Sequence, residues 1–540
     1  MKMRQLAALL AVYVGLVLGY APAWGLRNAA GERLLLLAWS GLISVVLAER
    51  FRGRWSALPL VAGAVIVTVT PRGYGREGLW IGLVLLGYTW FFVYHRLPAA
   101  VRATVERPWV LAALAGVGLA LAGQLALPSA RWSTAVCGGA IALLAVAGGR
   151  RVQRPWLLPL AGIALQTVWS ARYFASHIRD SAIGNFAALN RPGLDVAPVL
   201  WWAALGLAAT FLVDAFVTRV GRWAWLRGGL LVVLAMALKG MALMTWLLPT
   251  GDFDRLCNKA CETLARGDNP YGHVWYLEGV SPPAHVHYVA GQEYAFVYPP
   301  GVIYGLLPFW HLGDFRYAYI ACDVAVTVLW LLIDRSSAAW MLVAMYLYSP
   351  QSVYVLSAGW TDPLLLPLLS LAVLLWVRGR GTVTAAVLGL ALATKHQALT
   401  MVLPAWRFCR ERPARALWIG ACALLPCLPF IVWNAGEFWR QMTITLAMPP
   451  RDDALTMATW LADCFPGLWV PGWMTLASWI MTVGLLAVQG RSRFSYTLGV
   501  TAVSFTLYFF GKWAFLNYYW FVACALLLTM MVCQAQEDRG

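Results

Sequence analysis

The stretch GGLLVVLAMALKGMALMTWLLPTGDFDRLCNKACETLARGDNPYG, residues 228–272, decides how this chain is read. From Gly228 to Leu248 the only charge is Lys239, and a bilayer core takes about 20 helical residues to cross. At Pro249 the apolar run ends. Gly251-Asp252-Phe253-Asp254 then opens a polar segment that lasts to about residue 299. Working outward, apolar runs of the same kind recur toward both ends. Of 540 residues, 61% are hydrophobic and 12% charged, about half the charged share of a soluble domain. A water-soluble fold of this composition would leave its surface apolar. The expected fold class is therefore all-α, a polytopic helical membrane protein.

The net charge of +17 comes from arginines clustered between apolar runs, a distribution that excludes a nucleic-acid partner and marks topology instead. Placing Arg50, Arg52 and Arg54, then Arg96, Arg102 and Arg107, then Arg150, Arg151 and Arg154, then Arg219, Arg222 and Arg227 in the cytoplasm requires two spans between successive clusters. Two apolar runs lie there each time. Spans are expected near 5–21, 33–48, 57–70, 78–95, 109–126, 133–148, 156–170, 197–217 and 229–248. The start, MKMR followed by an apolar run, is read as an uncleaved first helix. Segment 249–299 becomes one long exoplasmic loop after the ninth span. Later basic groups (Arg378 and Arg380; Arg407, Arg410, Arg412 and Arg415; Arg491 and Arg493) obey the same rule, so both termini of this cell-membrane, multi-pass protein are expected in the cytoplasm.

Residues 381–406 are too short for two spans and are expected to form two half-length helices turning at Lys395-His396-Gln397. Between 300 and 377 four apolar runs occur where an odd number of crossings is required, so Pro300–His311 is expected to be partial or re-entrant. No internal repeat is present. The chain divides into accessory helices at 1–228, a working membrane module at 229–433 and a C-terminal loop with helices at 434–540.

Polar groups at the membrane boundary or inside it are the candidates for chemistry. Asp252 and Asp254 follow directly on a span, where a carboxylate can take a proton from an acceptor hydroxyl; Asp252 can equally cap the helix begun by Arg255-Leu256-Cys257. Lys395, one of five lysines, and His396 sit at a hairpin tip suited to a lipid phosphate, or Lys395 snorkels to the headgroups. Lys512 has the same two readings. Asp362, at the start of its span, either orients hydroxyls or is a carboxylate favoured by the helix dipole. Lys239 and Asp323 lie deep in apolar runs and are expected to pair with each other. His285 and His287, alternating on an extended segment, and Glu293 are weak metal candidates; a polar loop that binds sugar or headgroup is the stronger reading. Trp275, Tyr276, Tyr288 and Tyr294 suit stacking on sugars, or simply a membrane interface. Ten cysteines with no CxxC spacing write neither a zinc site nor a disulfide framework. Cys257, Cys261 and Cys464 fall in segments read as exoplasmic, so one of the first two is expected to bridge to Cys464.

The loop resembles the first exoplasmic loop of the GT-C glycosyltransferases, particularly the branch that uses polyprenyl-phosphate sugars such as polyprenyl-phosphate mannose. The resemblance is carried by Gly251-Asp252-Phe253 after a span, Arg266-Gly267-Asp268-Asn269-Pro270-Tyr271, and Tyr298-Pro299-Pro300. It continues in Gly359-Trp360-Thr361-Asp362, Ala393-Thr394-Lys395-His396-Gln397, and Lys512 with Phe515-Leu516-Asn517-Tyr518-Tyr519. It covers about 229–530 and leaves the first 228 residues without a counterpart. It implies a GT-C-like core and a metal-independent or weakly metal-linked inverting transfer of a sugar, mannose in the branch resembled, from a polyprenyl-phosphate donor to a glycan or glycolipid hydroxyl outside the cytoplasm, with no cofactor expected. Asp252 would be the base with Asp254 beside it. Lys395, His396, Asp362, Asp268, Asn269, Tyr271, Lys512 and Asn517 would bind substrate. The competing readings are a transporter or lipid flippase with Lys239, Asp323 and Asp362 along its path, which the missing repeat symmetry disfavours; a glycan polymerase or ligase; and a non-catalytic scaffold.

Overall fold

The computed structural model describes residues 8–10, 12–17, 29–50, 59, 62, 157–172, 175, 196–216, 221–245, 252–276, 293–447, 454–464 and 471–537. Among these residues the fold is helical apart from one two-stranded ribbon. Four helical segments are long and apolar enough to cross a membrane: Gly31–Ala48, Ala197–Ala215, Trp223–Met244 and Leu516–Ala535. Two bent pairs raise the number to six. Several such helices are the architecture of a multi-pass membrane protein, because a helix satisfies its own backbone inside lipid.

The helices that matter below are α1 (Ala29–Arg50), α2 (Leu157–Ser170), α3 (Ala197–Ala209), α4 (Gly221–Thr245), α5 (Asp252–Ala265), α6 (Gly301–Trp310), α7 (Tyr317–Ile333) and α8 (Ser337–Leu347). After them come α9 (Pro350–Ser357), α10 (Leu365–Val377), α11 (Gly381–Leu392), α12 (Ala414–Leu424), α13 (Leu428–Ala447), α14 (Arg493–Phe509) and α15 (Leu516–Glu537). The ribbon pairs β1 (Val274–Tyr276) with β2 (Glu293–Ala295), antiparallel, with Trp275 opposite Tyr294. The all-α expectation holds except for these six residues of loop.

Burial separates central helices from lipid-facing ones. In Leu516–Ala535, 94% of the window is buried, against 33% in Ala197–Ala215. The first is core; the second turns Val199, Trp202 and Val213 outward, as a helix against lipid should. All eleven residues of α8 are buried, so a short helix apolar on every side is enclosed by protein rather than by membrane. It packs on α2, α4, α7 and α15. Close approaches use small residues: a Cβ on Gly389 of α11 would stand 2.4 Å from the Ile419 carbonyl oxygen of α12, the kind of contact that holds helices together in lipid. From the N-terminal region, α1 packs along α14, where Trp39 donates from its indole N–H to Thr506 Oγ1 at 2.9 Å and meets the Phe510 ring at 4.7 Å.

The expected spans 33–48, 197–217 and 229–248 correspond to α1, to α3 with its 3-10 extension Thr210–Ala215, and to α4. The run at 156–170 forms a helix of 14 residues. Spans 78–95, 109–126 and 133–148 lie outside the described residues, and 5–21 and 57–70 lie there in part. One boundary is corrected: α4 begins at Gly221, so Arg222 and Arg227, read as a loop cluster, are inside the helix. Asp214 makes this tolerable by pairing with Arg227, whose guanidinium also lies 4.6 Å from the Phe211 ring centroid.

Between 300 and 377 the chain forms α6 of 10 residues, α7, α8 and the bent pair α9–α10. Gly359, at φ 71°, ends α9 in the left-handed conformation that lacks a Cβ penalty, and Pro363 opens the next turn, giving a bend of 109°. The half-length helix pair at 381–406 appears as expected in α11 with a break at Lys395. Its second half is cut into short pieces, Leu399–Val402 and the 3-10 turns around it.

Candidate functional site

Three of the motif segments meet at one buried carboxylate. Asp362 heads the 3-10 turn Asp362–Leu364, and its Oδ2 accepts from Lys395 Nζ at 2.8 Å and from Asn517 Nδ2 at 2.5 Å. The chain delivers these groups from three helix ends. Asp362 precedes α10, Lys395 is an extended residue between α11 and the turn His396–Ala398, and Asn517 lies in the first turn of α15. Asp362, Lys395 and Asn517 are 1%, 5% and 6% exposed. At that depth an isolated ion is costly, so the pair depends on its mutual contact and on the amide.

Aromatic residues surround the cation. Lys395 Nζ lies 5.8 Å from the Tyr298 ring and 5.7 Å from the Tyr518 ring, within range for cation–π attraction. Tyr508, at the end of α14, packs on Tyr518 with ring centroids 4.9 Å apart, and nearby Ser504 donates to Thr400 at 2.8 Å. The next residue of the α15 turn faces elsewhere. Tyr519 donates its hydroxyl to the Leu455 carbonyl, and Leu455 N–H donates to Ala514 O at 2.7 Å. The first turn of α15 thus ties Asp362, Lys395 and the 454–456 segment together.

The segment that leads into α6 is tied to the same place. Gly301 N–H donates to Ala393 O at 2.7 Å. A Cβ at Gly301 would stand 2.6 Å from Thr394 Oγ1, 2.7 Å from Ala393 O and 2.8 Å from Thr394 Cα. Only glycine lets Tyr298-Pro299-Pro300 dock this closely on the Lys395 segment. Gly301→Ala is expected to destabilise the protein by about 1–3 kcal/mol through overpacking. Gly305→Ala, whose Cβ would meet Leu364 at an ordinary 3.5 Å, is expected to leave the melting temperature unchanged or slightly raised. Thermal unfolding of the two variants in detergent checks the contrast.

Helix α5 starts at Asp252, which is its first helical residue, one position after that of an N-cap. The side chains of Asp252 and Asp254 lie outside the described residues. The buried face of α5 carries Leu256, Cys257, Ala260 and Cys261, and Cys257 lies within electrostatic range of Lys395. Cys257 is thus the point at which α5 comes near Lys395. Gly267, at φ 85°, closes α5. Cys257 and Cys261 are thiols, which corrects the expected bridge to Cys464. Both sit on the face turned into protein, where burial pushes the Cys261 thiol up to about 12.

The other expected substrate contacts stand in varied surroundings. Tyr271 is wholly buried, among Phe296, Phe430 and Phe438 with ring centroids at 5.6, 5.1 and 5.1 Å. Its hydroxyl, kept protonated by burial, donates to Tyr298 O at 2.7 Å. It is a strut behind Tyr298. Asn269 caps the turn Pro270–Gly272, accepting from Tyr271 N–H at 3.0 Å, and Asp268 is exposed beside it. His396 is exposed next to Lys395. Lys512 stands 5.2 Å from the Trp513 ring, its partial burial lowering its pKa from the ordinary lysine range.

His285, His287 and Tyr288 lie outside the described residues, as do the side chains of Tyr276, Glu293 and Tyr294; Trp275 is half-buried with His273 stacked on it at 6.2 Å. Among the described residues no three His, Cys, Asp or Glu side chains gather as a metal site. Lys239 and Asp323 form the expected pair at 2.6 Å. Comparison with family models, curated proteins and solved structures finds no match to the chain.

Proposed function

We propose that this protein is an integral membrane glycosyltransferase of GT-C type that moves a sugar from a polyprenyl-phosphate donor to an acceptor hydroxyl, with Asp252 as the base. The observation that supports this reading best is the convergence of the Trp360-Thr361-Asp362, Thr394-Lys395-His396 and Leu516-Asn517-Tyr518 segments, with Tyr298 from a fourth, on one buried polar cluster. Asp362 and Asn517 are 155 positions apart. The meeting of segments that matched the family only as scattered short motifs supports one shared site. The bond between the sugar's anomeric carbon and the phosphate oxygen breaks and polyprenyl phosphate leaves with its own negative charge, so the protein's tasks are to deprotonate the acceptor hydroxyl that attacks that carbon and to orient both sugars. Transport along intramembrane charges is the weaker reading, since Lys239 and Asp323 are committed to each other.

The test is transfer in vesicles. The purified protein is reconstituted with radiolabelled polyprenyl-phosphate mannose, and with the corresponding glucose and galactose donors, in the presence of membrane glycolipids. Labelled glycolipid with release of polyprenyl phosphate is expected from at least one donor. Donor crossing the bilayer intact, with no transfer from any of the three, would favour the flippase instead.

A further inference from the structure

We infer that the Asp362–Lys395–Asn517 cluster is a subsite for the hydroxyl groups of a sugar ring and not the grip on a phosphate. The inference builds on the glycosyltransferase reading, and it divides labour within that site. Lys395 was the natural candidate for holding a lipid phosphate. In the fold its charge is already matched by Asp362 at 2.8 Å, with both side chains buried. The cluster presents no net positive charge, and an anion approaching Lys395 would also approach the Asp362 carboxylate.

The polar atoms left over point to a different ligand. Asn517 Oδ1, Thr361 Oγ1 and Gln397 Oε1 are buried and make no hydrogen bond within the protein. Each belongs to one of the three converging segments. Two are amide oxygens, which only accept. Phosphate ester oxygens are acceptors too and satisfy neither. A sugar hydroxyl donates to an amide oxygen and still accepts from Lys395, whose ammonium has donors beyond the one used on Asp362. A buried acceptor without a donor is unfavourable, so a ligand rich in hydroxyls gains here what a phosphate does not. Tyr298 and Tyr518 add flat apolar faces beside the ammonium. The same chemistry suits the sugar of the donor or a sugar of the acceptor.

Binding of simple hexosides to the purified full-length protein in detergent tests this without requiring turnover. The probes are the methyl α-glycosides of mannose, glucose and galactose, followed by saturation-transfer NMR, with inorganic phosphate as competitor. At least one hexoside should bind saturably, and phosphate at equal concentration should not displace it. Thr361→Val keeps the side chain's shape and removes the hydroxyl. It should weaken hexoside binding roughly 10-fold with the melting temperature unchanged or higher, because an unpaired buried oxygen is gone; Thr361→Ser should restore binding. Absence of saturable binding by all three hexosides, displacement by phosphate, or a Thr361→Val protein that melts earlier yet binds hexoside normally would each overturn the inference. A raised KM for lipid donor in Thr361→Val assigns the subsite to the donor's sugar, and a raised KM for acceptor assigns it to the acceptor; both support it. Hexoside binding without transfer would retain the subsite and defeat the transferase reading. Transfer by the unaltered protein with no hexoside binding would do the reverse.

Discussion

Replacing Asp252 by Asn is expected to lower transfer from the lipid-linked donor by a factor on the order of 100 to 10,000 while the protein stays folded. The substitution preserves shape and most capping ability and removes basicity alone. Asp252 begins α5, and five residues on, about 7.5 Å along the helix axis, Cys257 lies within electrostatic range of Lys395. If Asp252 serves only the end of its helix, the variant loses at most about 1 kcal/mol of stability and transfer survives. The measurement is the initial rate of sugar transfer, with melting temperature and donor binding determined on the same sample. Asp254→Asn is the comparison and should remain active. Near-normal transfer by Asp252→Asn would end the proposed mechanism, and a dead Asp254→Asn beside a live Asp252→Asn would move the base to the neighbouring carboxylate.

The apolar runs were legible because period and length alone decide whether a helix can lie in a membrane, and α1, α3 and α4 fall where they were expected. The pairing of Lys239 with Asp323 was legible for a related reason: two opposite charges deep in apolar runs have few alternatives to each other. The partner of Lys395 was not. Lys395 follows Asp362 by thirty-three positions and two helices, α10 and α11, and no spacing rule joins a helix start to a hairpin tip. Snorkelling and headgroup binding both assumed a cation facing outward, whereas burial between Tyr298 and Tyr518 turned it inward. Tyr271 was read as a substrate contact because it closes the Arg266–Tyr271 motif that carries the family resemblance. Its enclosure by Phe430 and Phe438 depends on α13 folding back over the loop, which sequence does not display. The start of α4 was missed because Arg227 looked like a loop charge. Its match, Asp214, lies within the preceding helical segment. The motif order did signal that its segments belong together, although not which atoms touch.

Removing the ammonium of Lys239 is expected to cost about 3–5 kcal/mol of stability, the penalty for leaving a buried ion without its partner. Lys239 and Asp323 are 1% and 5% exposed in their side chains and 2.6 Å apart. Asp323 also accepts from the Tyr346 hydroxyl, and Lys239 lies 5.5 Å from the Tyr346 ring centroid. The three residues come from α7, α4 and α8, so the cluster fastens the lipid-facing α4 to the fully enclosed α8. In Lys239→Met the carboxylate keeps only the tyrosine, and thermal unfolding in detergent should show a large loss. The double variant Lys239→Met, Asp323→Leu removes both charges and refills much of their volume. It should recover most of the stability, since a buried pair is often no better than well-packed apolar side chains. The same double variant separates structure from function. A pair that only fastens helices leaves sugar transfer near its normal rate once folding is restored. If the double variant regains its melting temperature but loses transfer, or loses movement of the lipid donor across the bilayer, the two charges take part in the function and are more than a fastening between helices.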